Sequence, residues 1–446
     1  MMRRHGNDVG SEAISRRGVL MGAGALGVAA LAGCGRTGTR GGSDTSGFSQ
    51  AGLERLHTAM AAHVEQGELP GVVTLLARGD EVHADALGTL SFGDTTPMRR
   101  DTIFRIASMS KPIAGAAAML LVEEGKLRLD EPVDRLLPEL ANRRVLKRPD
   151  GPIEDTVPAL RPILVSDLLT LRLGTGAIMT PGDYPIVQAM NERGVGVGAE
   201  LPTTPNADAW LQALGSLPLI HQPGEVWMYD TGITVLGALL ARASGQPLET
   251  FLRERFFEPL GMKDTGFSVP ADKLERLPTT YFRNPETKEF IVFDPPGKDS
   301  RFSQPPGFPS AAGGLVSTAD DYLAFARMML NRGAFPGGRI LSERSVELMT
   351  TDHLTPEQKA VSPFSPGFWD KHGWGYAVSV ITRHEPGDPR GFGWDGGYGT
   401  SCYWDPETGL IGILLTQRTM DSPTAPAAFV DFWRSAYEAI QGQSRT

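Results

Sequence analysis

Along this 446-residue chain the spacing of apolar positions changes character several times. Over residues 50–66, Leu53, Leu56, Met60 and Val64 recur at three- and four-residue intervals, which predicts an amphipathic helix. Residues 71–77 and 81–87, separated by Gly79-Asp80, predict a strand hairpin. Residues 113–122 are then all apolar or glycine, and many are alanine. A helix that is apolar on every side and made of small residues belongs between two layers rather than on a surface. Pro112 suits its first turn and Gly125 its stop.

Beyond Asp130 the pattern turns to helices and long loops, with helices predicted at 165–171, 207–214, 232–243 and 248–257. The proline-rich stretch 268–310 carries one strand pattern, at 290–293, and is expected to form a flap over a cleft. A helix follows at 318–330, then strands at 374–382, 400–404 and 410–416, and a last helix at 427–440. Strands at both ends with helices between them predict an α/β (α+β) architecture. One lobe, about 48–126 and 311–446, is an antiparallel sheet flanked by helices. The other, about 127–310, is an all-helical insertion, and the cleft between the lobes is the natural place for a site.

Composition narrows the function. With 41% hydrophobic residues the chain can bury a large core, which excludes disordered and fibrous classes. The net charge is −9, and residues 1–47 hold six arginines against three acids, so the body is more acidic still. A body of that sign offers phosphates no basic surface, and a nucleic-acid partner is not expected.

The first residues read as an address. Arg3-Arg4 and Ser15-Arg16-Arg17-Gly18-Val19-Leu20 precede an uncharged stretch, 18–33, that is short and weakly apolar for a membrane span. It is similar to a twin-arginine export signal over 1–33. Leu31-Ala32-Gly33-Cys34 resembles a lipoprotein processing site, which implies lipidation at Cys34 and an extracytoplasmic body, held to the membrane only by that lipid. The alternative is an uncleaved N-terminal anchor. Residues 34–47 are Gly/Ser/Thr-rich and are expected to form a tether, leaving 48–446 as the folded domain. Two cysteines build no disulfide framework, and Cys402 reads as a small core residue.

Ser108-Met109-Ser110-Lys111 stands at the entrance of the all-apolar helix. A spacing of three places hydroxyl and amine on one face, and a helix N-terminus favours negative charge on a nearby oxygen. A lysine between apolar layers is expected to have a depressed pKa, and a neutral amine is a base for serine. Neither a G-x-S-x-G elbow nor an H-E-x-x-H zinc helix occurs. His57 and His63 are six apart, off chelating spacing, and are expected half-exposed; His221 reads as ordering its loop. No metal or cofactor is implied.

Five segments in order carry a resemblance. Phe104-Arg105-Ile106-Ala107-Ser108-Met109-Ser110-Lys111-Pro112 and Pro223-Gly224-Glu225-Val226-Trp227-Met228-Tyr229-Asp230-Thr231-Gly232 are the first two. Phe257-Glu258-Pro259-Leu260-Gly261-Met262-Lys263-Asp264-Thr265, then residues 311–321, then Gly393-Trp394-Asp395-Gly396-Gly397-Tyr398-Gly399-Thr400 complete them. Over roughly 50–440 the chain resembles the serine β-lactamase and penicillin-binding-protein superfamily. It is most like the branch of class C β-lactamases, DD-carboxypeptidases and family VIII carboxylesterases.

That resemblance implies a β-lactamase/transpeptidase-like fold. It also implies Ser108 as the acylated nucleophile, Lys111 as its base and Tyr229 as the hydroxyl that relays the proton. Which of Lys111 and Tyr229 takes the first proton is left open. The oxyanion hole would be the backbone N–H groups of Ser108 and Tyr398, with Trp394, Gly396 and Gly397 around it.

Two departures bear on substrate. Thr231 stands where the second motif has Asn, in a segment one residue short. Asp395-Gly396-Gly397 stands where the third motif has Lys-Thr-Gly. An acid in place of that lysine repels a substrate carboxylate. Arg418 either compensates or is a solvated strand end, and Asp395 is either at the site or in a turn. The departures favour a small neutral ester, or an amide. A β-lactamase or D-stereospecific peptidase, and a penicillin-acylated surface sensor without turnover, are the alternatives.

Overall fold

The computed structural model describes residues 47–198 and 206–440. The expected export signal, Cys34 and the expected tether up to residue 46 lie outside the described residues. The elements that position the site are, in chain order, helix α1 (Gln50–Glu65), strands β1 (Gly71–Arg78) and β2 (Glu81–Gly88), and helices α2 (Ser110–Glu123), α3 (Thr231–Ser244) and α4 (Ala319–Leu330). Strands β3 (His372–Trp374), β4 (Ser379–Ile381), β5 (Phe392–Gly396), β6 (Thr400–Asp405) and β7 (Leu410–Thr416) follow, then helix α5 (Ala427–Ala439).

The seven strands form one antiparallel sheet in the order β3-β4-β5-β6-β7-β1-β2. Its centre, β1 (GVVTLLAR) beside β7 (LIGILLT), is covered on both faces, which is why these strands read as apolar runs instead of alternating. Val72, Leu76 and Leu414 face the terminal helices α1 and α5, against Phe432 and Trp433. Val73, Leu75, Ile413 and Leu415 face the other way, into the large core that holds α2 and α4. The side chain of Ser49 caps α1 by accepting from the Gly52 N–H. Gly52 lets α1 and α5 touch, since a Cβ there would stand 2.4 Å from the Ala439 Cα.

Helix α2 is sealed between layers, buried from Ser110 to Leu121. Its predicted stop, Gly125, takes a left-handed φ of +69°. Between α2 and α4 lies the insertion, with helices at Val165–Leu169, Pro185–Glu192, Ala207–Gly215, Thr231–Ser244 and Leu248–Leu252.

The insertion is not all-helical. Arg144–Leu146 pairs with Thr156–Pro158, and Thr280–Arg283 pairs with Phe290–Asp294. The second ribbon turns the expected flap into a hairpin fastened to the end of the sheet. The Tyr281 N–H donates to the Gln417 carbonyl, and the Thr419 N–H donates to the Tyr281 carbonyl, both at 2.8 Å. The single strand expected at 374–382 is two strands, because the chain folds back at Tyr376-Ala377, where Ala377 has φ +60°. No helix among the described residues is long and apolar enough to cross a membrane.

Candidate active site

Ser108 lies in a single 3-10 turn, Ala107–Met109, that leads into α2. Three contacts clamp that turn. The Ile106 N–H donates to the Leu315 carbonyl at 3.0 Å, the Thr400 hydroxyl to the Ile106 carbonyl at 3.2 Å, and the Ser110 hydroxyl to the Ala107 carbonyl at 2.7 Å. Ala107 takes φ +45°, which a side-chain-bearing residue adopts only when its surroundings over-determine it.

One turn on, Lys111 is fully buried, and its ammonium spends all three N–H groups. They go to Ser108 Oγ (2.8 Å), Asp230 Oδ1 (2.5 Å) and the Ala312 carbonyl (2.8 Å). Burial disfavours the charge, but the Asp230 carboxylate and the Tyr229 oxygen outweigh it, and the pKa is raised. The expected depressed lysine is therefore corrected. The apolar layers are present, but an acid reaches in between them. The ring of Tyr229 lies 4.5 Å from Lys111 Nζ.

Asp230 is the residue sequence reasoning missed. It precedes α3 with φ +84° and ψ −57°, a conformation few non-glycine residues adopt, and this turn swings its carboxylate onto Lys111. Thr231, at the position read as the Asn counterpart, lines the cavity, but its hydroxyl is buried with no hydrogen-bond partner. The signal was present in the sequence: a segment one residue short must deliver its polar group from a different position.

The third segment also resolves differently from its expected register. Trp394 Nε1 donates to the Tyr229 hydroxyl oxygen at 2.7 Å, so the residue of β5 that meets Tyr229 is Trp394, not Asp395. Successive strand residues face opposite ways. Asp395 therefore sits on the α5 side of the sheet, opposite Ser401, whose hydroxyl accepts from Trp433 Nε1 at 3.1 Å. Its Oδ1 is buried without a partner, and burial pushes its carboxyl up to about 7 against the opposing pull of the Ser401 hydroxyl. Asp395 is thus a strand residue rather than a turn, and it borders the cavity without being the residue that meets Tyr229.

Gly396 closes β5 tightly against the Ser108 turn, since a Cβ there would come within 2.3 Å of the Ile106 carbonyl oxygen. Gly397 and Tyr398 border the same cavity as Ser108, and the buried Tyr398 ring packs on Phe293 at 5.6 Å.

The cavity measures about 1040 Å³. Its walls are largely apolar, including Met179, Trp210, Phe282, Phe293, Phe364 and Phe368. Its two cations are both paired. Lys371 meets Asp388 (2.8 Å) and Glu385 (3.3 Å), and Arg383 meets Glu385 (3.3 Å). His372, stacked on Phe368, is held neutral by burial, its pKa lowered to about 4. Arg418 does not line the cavity; it pairs with Asp421 at 2.6 Å beside the Phe290 ring.

Of the remaining residues singled out, His63 is buried rather than half-exposed. It bridges Glu68 (2.7 Å) and Asp431 (3.1 Å), tying α1 to α5. His57 pairs with Asp85 at the surface, and the His221 backbone N–H donates to the Gly174 carbonyl, joining its loop to another that is distant in sequence. Cys402 is wholly buried in the core.

A sheet of this order, with a Ser–Lys pair at the entrance of a buried helix and a tyrosine across from it, defines a class of serine hydrolases. The chain belongs to the β-lactamase family, whose profile it matches over residues 56–430. It is 41% identical over 375 residues to protein Rv1367c of Mycobacterium tuberculosis, covering 82% of this chain and 90% of that protein. It is 30% identical over 392 residues to esterase EstB of Burkholderia gladioli, covering 83% and 92%. Among solved structures it is similar to EstCE1, described as a hydrolase with promiscuous acyltransferase activity. There the TM-score is 0.72 and the identity 26%, over 87% of this chain and 99% of that one. The protein is a serine hydrolase of this family.

Proposed function

We propose that the protein is an exported carboxylesterase that turns over neutral esters through an acyl-enzyme on Ser108. The observation that carries this reading is the pairing of both cavity cations with carboxylates beside an assembled Ser108–Lys111–Tyr229 group. A substrate carboxylate finds no free positive partner there, whereas an uncharged ester fits the apolar walls. EstB, an esterase by name, supports the same choice.

With every Lys111 N–H committed, the ammonium has no lone pair to receive a proton. Tyr229 is then the relay. As Ser108 Oγ attacks the ester carbonyl carbon, its proton passes to the Tyr229 oxygen, and the Tyr229 proton passes to the departing alcohol oxygen. The C–O bond to the alcohol breaks and a Ser108 acyl ester remains. Lys111 stays charged and steadies Ser108 Oγ. Trp394 holds the Tyr229 oxygen in place. The Ser108 and Tyr398 backbone N–H groups serve as the oxyanion hole, each such donor contributing roughly 3 kcal/mol in the transition state. Water entering by the same relay frees the acid, and an alcohol in place of water would give acyl transfer, the second activity described for EstCE1.

The body is placed outside the cytoplasm by the 1–33 signal and held at the membrane by lipid on Cys34. Steady-state hydrolysis of p-nitrophenyl butyrate and of a chromogenic cephalosporin tests the reading, with Ser108→Ala as control. Ester turnover that far exceeds cephalosporin turnover and vanishes in the variant is expected. The reverse preference would overturn it.

A further inference from the structure

The hairpin Thr280–Arg283/Phe290–Asp294 stands outside the main sheet, yet it is held more firmly than a loop needs to be. Asp294 forms an ion pair with Arg105, three residues before Ser108, and both side chains are 1% exposed. Arg105 also donates to the carbonyls of Pro278 (2.6 Å) and Pro295 (3.1 Å) and to Ser300 Oγ (3.0 Å). Together with the two Tyr281 backbone bonds to residues 417 and 419, these contacts fix both ends of the hairpin to the short strand that leads into the Ser108 turn and to the end of the sheet.

The hairpin is apolar on both faces. One side is packed internally, with Phe92 against Tyr281 and Phe290, each at 4.9 Å. The other meets the cavity, which Phe282 and Phe293 line. Ile291 is the direct cross-strand partner of Phe282, so it stands on the same face, just beyond the cavity. Phe282 is 36%, Ile291 48% and Val292 52% exposed. They are three of the five large hydrophobic side chains exposed among the described residues, so the apolar exposure is concentrated on this hairpin. Val292 pairs with Tyr281 and so lies on the opposite face, whereas on the cavity face Phe293, Phe282 and Ile291 form an apolar strip that begins inside the cavity and runs out to solvent.

We propose that Phe282, Ile291 and Phe293 form a subsite for an extended aliphatic chain of the ester, so that the substrate class is long-chain neutral esters. This rests on the esterase reading above. The chain's first carbons lie in the cavity against Phe293, and the later ones cover Phe282 and Ile291. Each methylene withdrawn from water onto this strip strengthens binding by a factor of about four at most.

The test compares kcat/KM for p-nitrophenyl acetate, butyrate, octanoate and decanoate, each below its aggregation concentration. Wild type, Ile291→Ser, Ile291→Ser/Val292→Ser and, as an exposed control elsewhere, Leu160→Ser are used. The decanoate-to-butyrate ratio is expected to fall about tenfold in the Ile291 variants, through KM, and to stay at the wild-type value in Leu160→Ser. An unchanged ratio overturns the subsite, and Ser108-dependent butyrate turnover in the same assay shows that the esterase reading survives. Loss of the ratio only when decanoate is presented in phosphatidylcholine vesicles also overturns it, because the hairpin would then read a lipid surface. No turnover of any ester by wild type defeats the underlying reading instead. Because both substituted residues are exposed, thermal unfolding is expected to stay at the wild-type temperature, so the ratio reports on binding.

Discussion

Lys111 carries an ammonium where water has no access, and its neighbours decide what it can do. Breaking a buried ion pair on one side strands the other charge and costs about 3–5 kcal/mol, whereas replacing both partners with packed apolar groups costs far less. Asp230→Asn is therefore expected to lower stability by about 3 kcal/mol and ester kcat by more than tenfold. Lys111→Met/Asp230→Asn is expected to regain most of the stability and none of the activity. Urea unfolding and ester assays on the two singles and the double check this; additive losses of stability would rule out the coupling. Asp395 makes a separate, pH-dependent statement. Its carboxyl is raised from 3.8 to about 7 in the fold, so the folded state holds a proton that the unfolded chain has released. Stability must then fall as pH rises from about 4 to about 7 and level off above. Asp395→Asn is expected to flatten that decline and to be more stable than wild type at pH 8 by on the order of 2 kcal/mol. Melting temperatures at pH 5 and pH 8 decide it.

Among the elements, those built on a repeating apolar pattern were legible in the sequence and those built on a few specific contacts were not. Helix α2 announces itself because no polar residue interrupts 113–122, and burial from Ser110 to Leu121 is the direct consequence. The hairpin at Thr280–Asp294 does not, because its stability comes from Arg105 and from the 417–419 backbone, distant in sequence. For the same reason Ser108 and Lys111 were visible at helical spacing while Asp230 was not: its contact depends on one strained φ rather than on a period. Trp394 and Asp395 were both singled out, but which of them meets Tyr229 turns on strand register, which a one-residue slip reverses. The Arg105–Asp294 pair gives an element-scale prediction. Asp294→Ala is expected to cost about 3 kcal/mol of stability and to loosen the hairpin. KM for esters should then rise by a larger factor than kcat falls, because Ser108 itself remains clamped by Thr400 and Leu315. Equal loss in both parameters would place the effect on the Ser108 turn.

At the scale of the whole molecule, two lobes close around a cavity whose two lining cations, Lys371 and Arg383, are each paired with a carboxylate, within an acidic protein of net charge −9. Those cations are balanced by Glu385 and Asp388, which lie across Lys371 and Arg383 rather than elsewhere on the surface. On the esterase reading proposed above, the choice between neutral and anionic substrates falls to these two acids as much as to the missing third-motif lysine. Removing them is a direct test. In Glu385→Gln/Asp388→Asn, Lys371 and Arg383 keep their places on the cavity wall but lose their partners. Turnover of a p-nitrophenyl monoester of glutaric acid, anionic at neutral pH, is expected to rise several-fold in kcat/KM at 20 mM salt. The gain should shrink at 0.5 M salt, where exposed charges are screened within about 4 Å. The neutral butyrate ester, which meets no charge on its way in, should show neither the gain nor the salt dependence. If the anionic and neutral esters respond alike, cavity charge does not select the substrate, and the preference for neutral esters must come from the shape of the apolar walls.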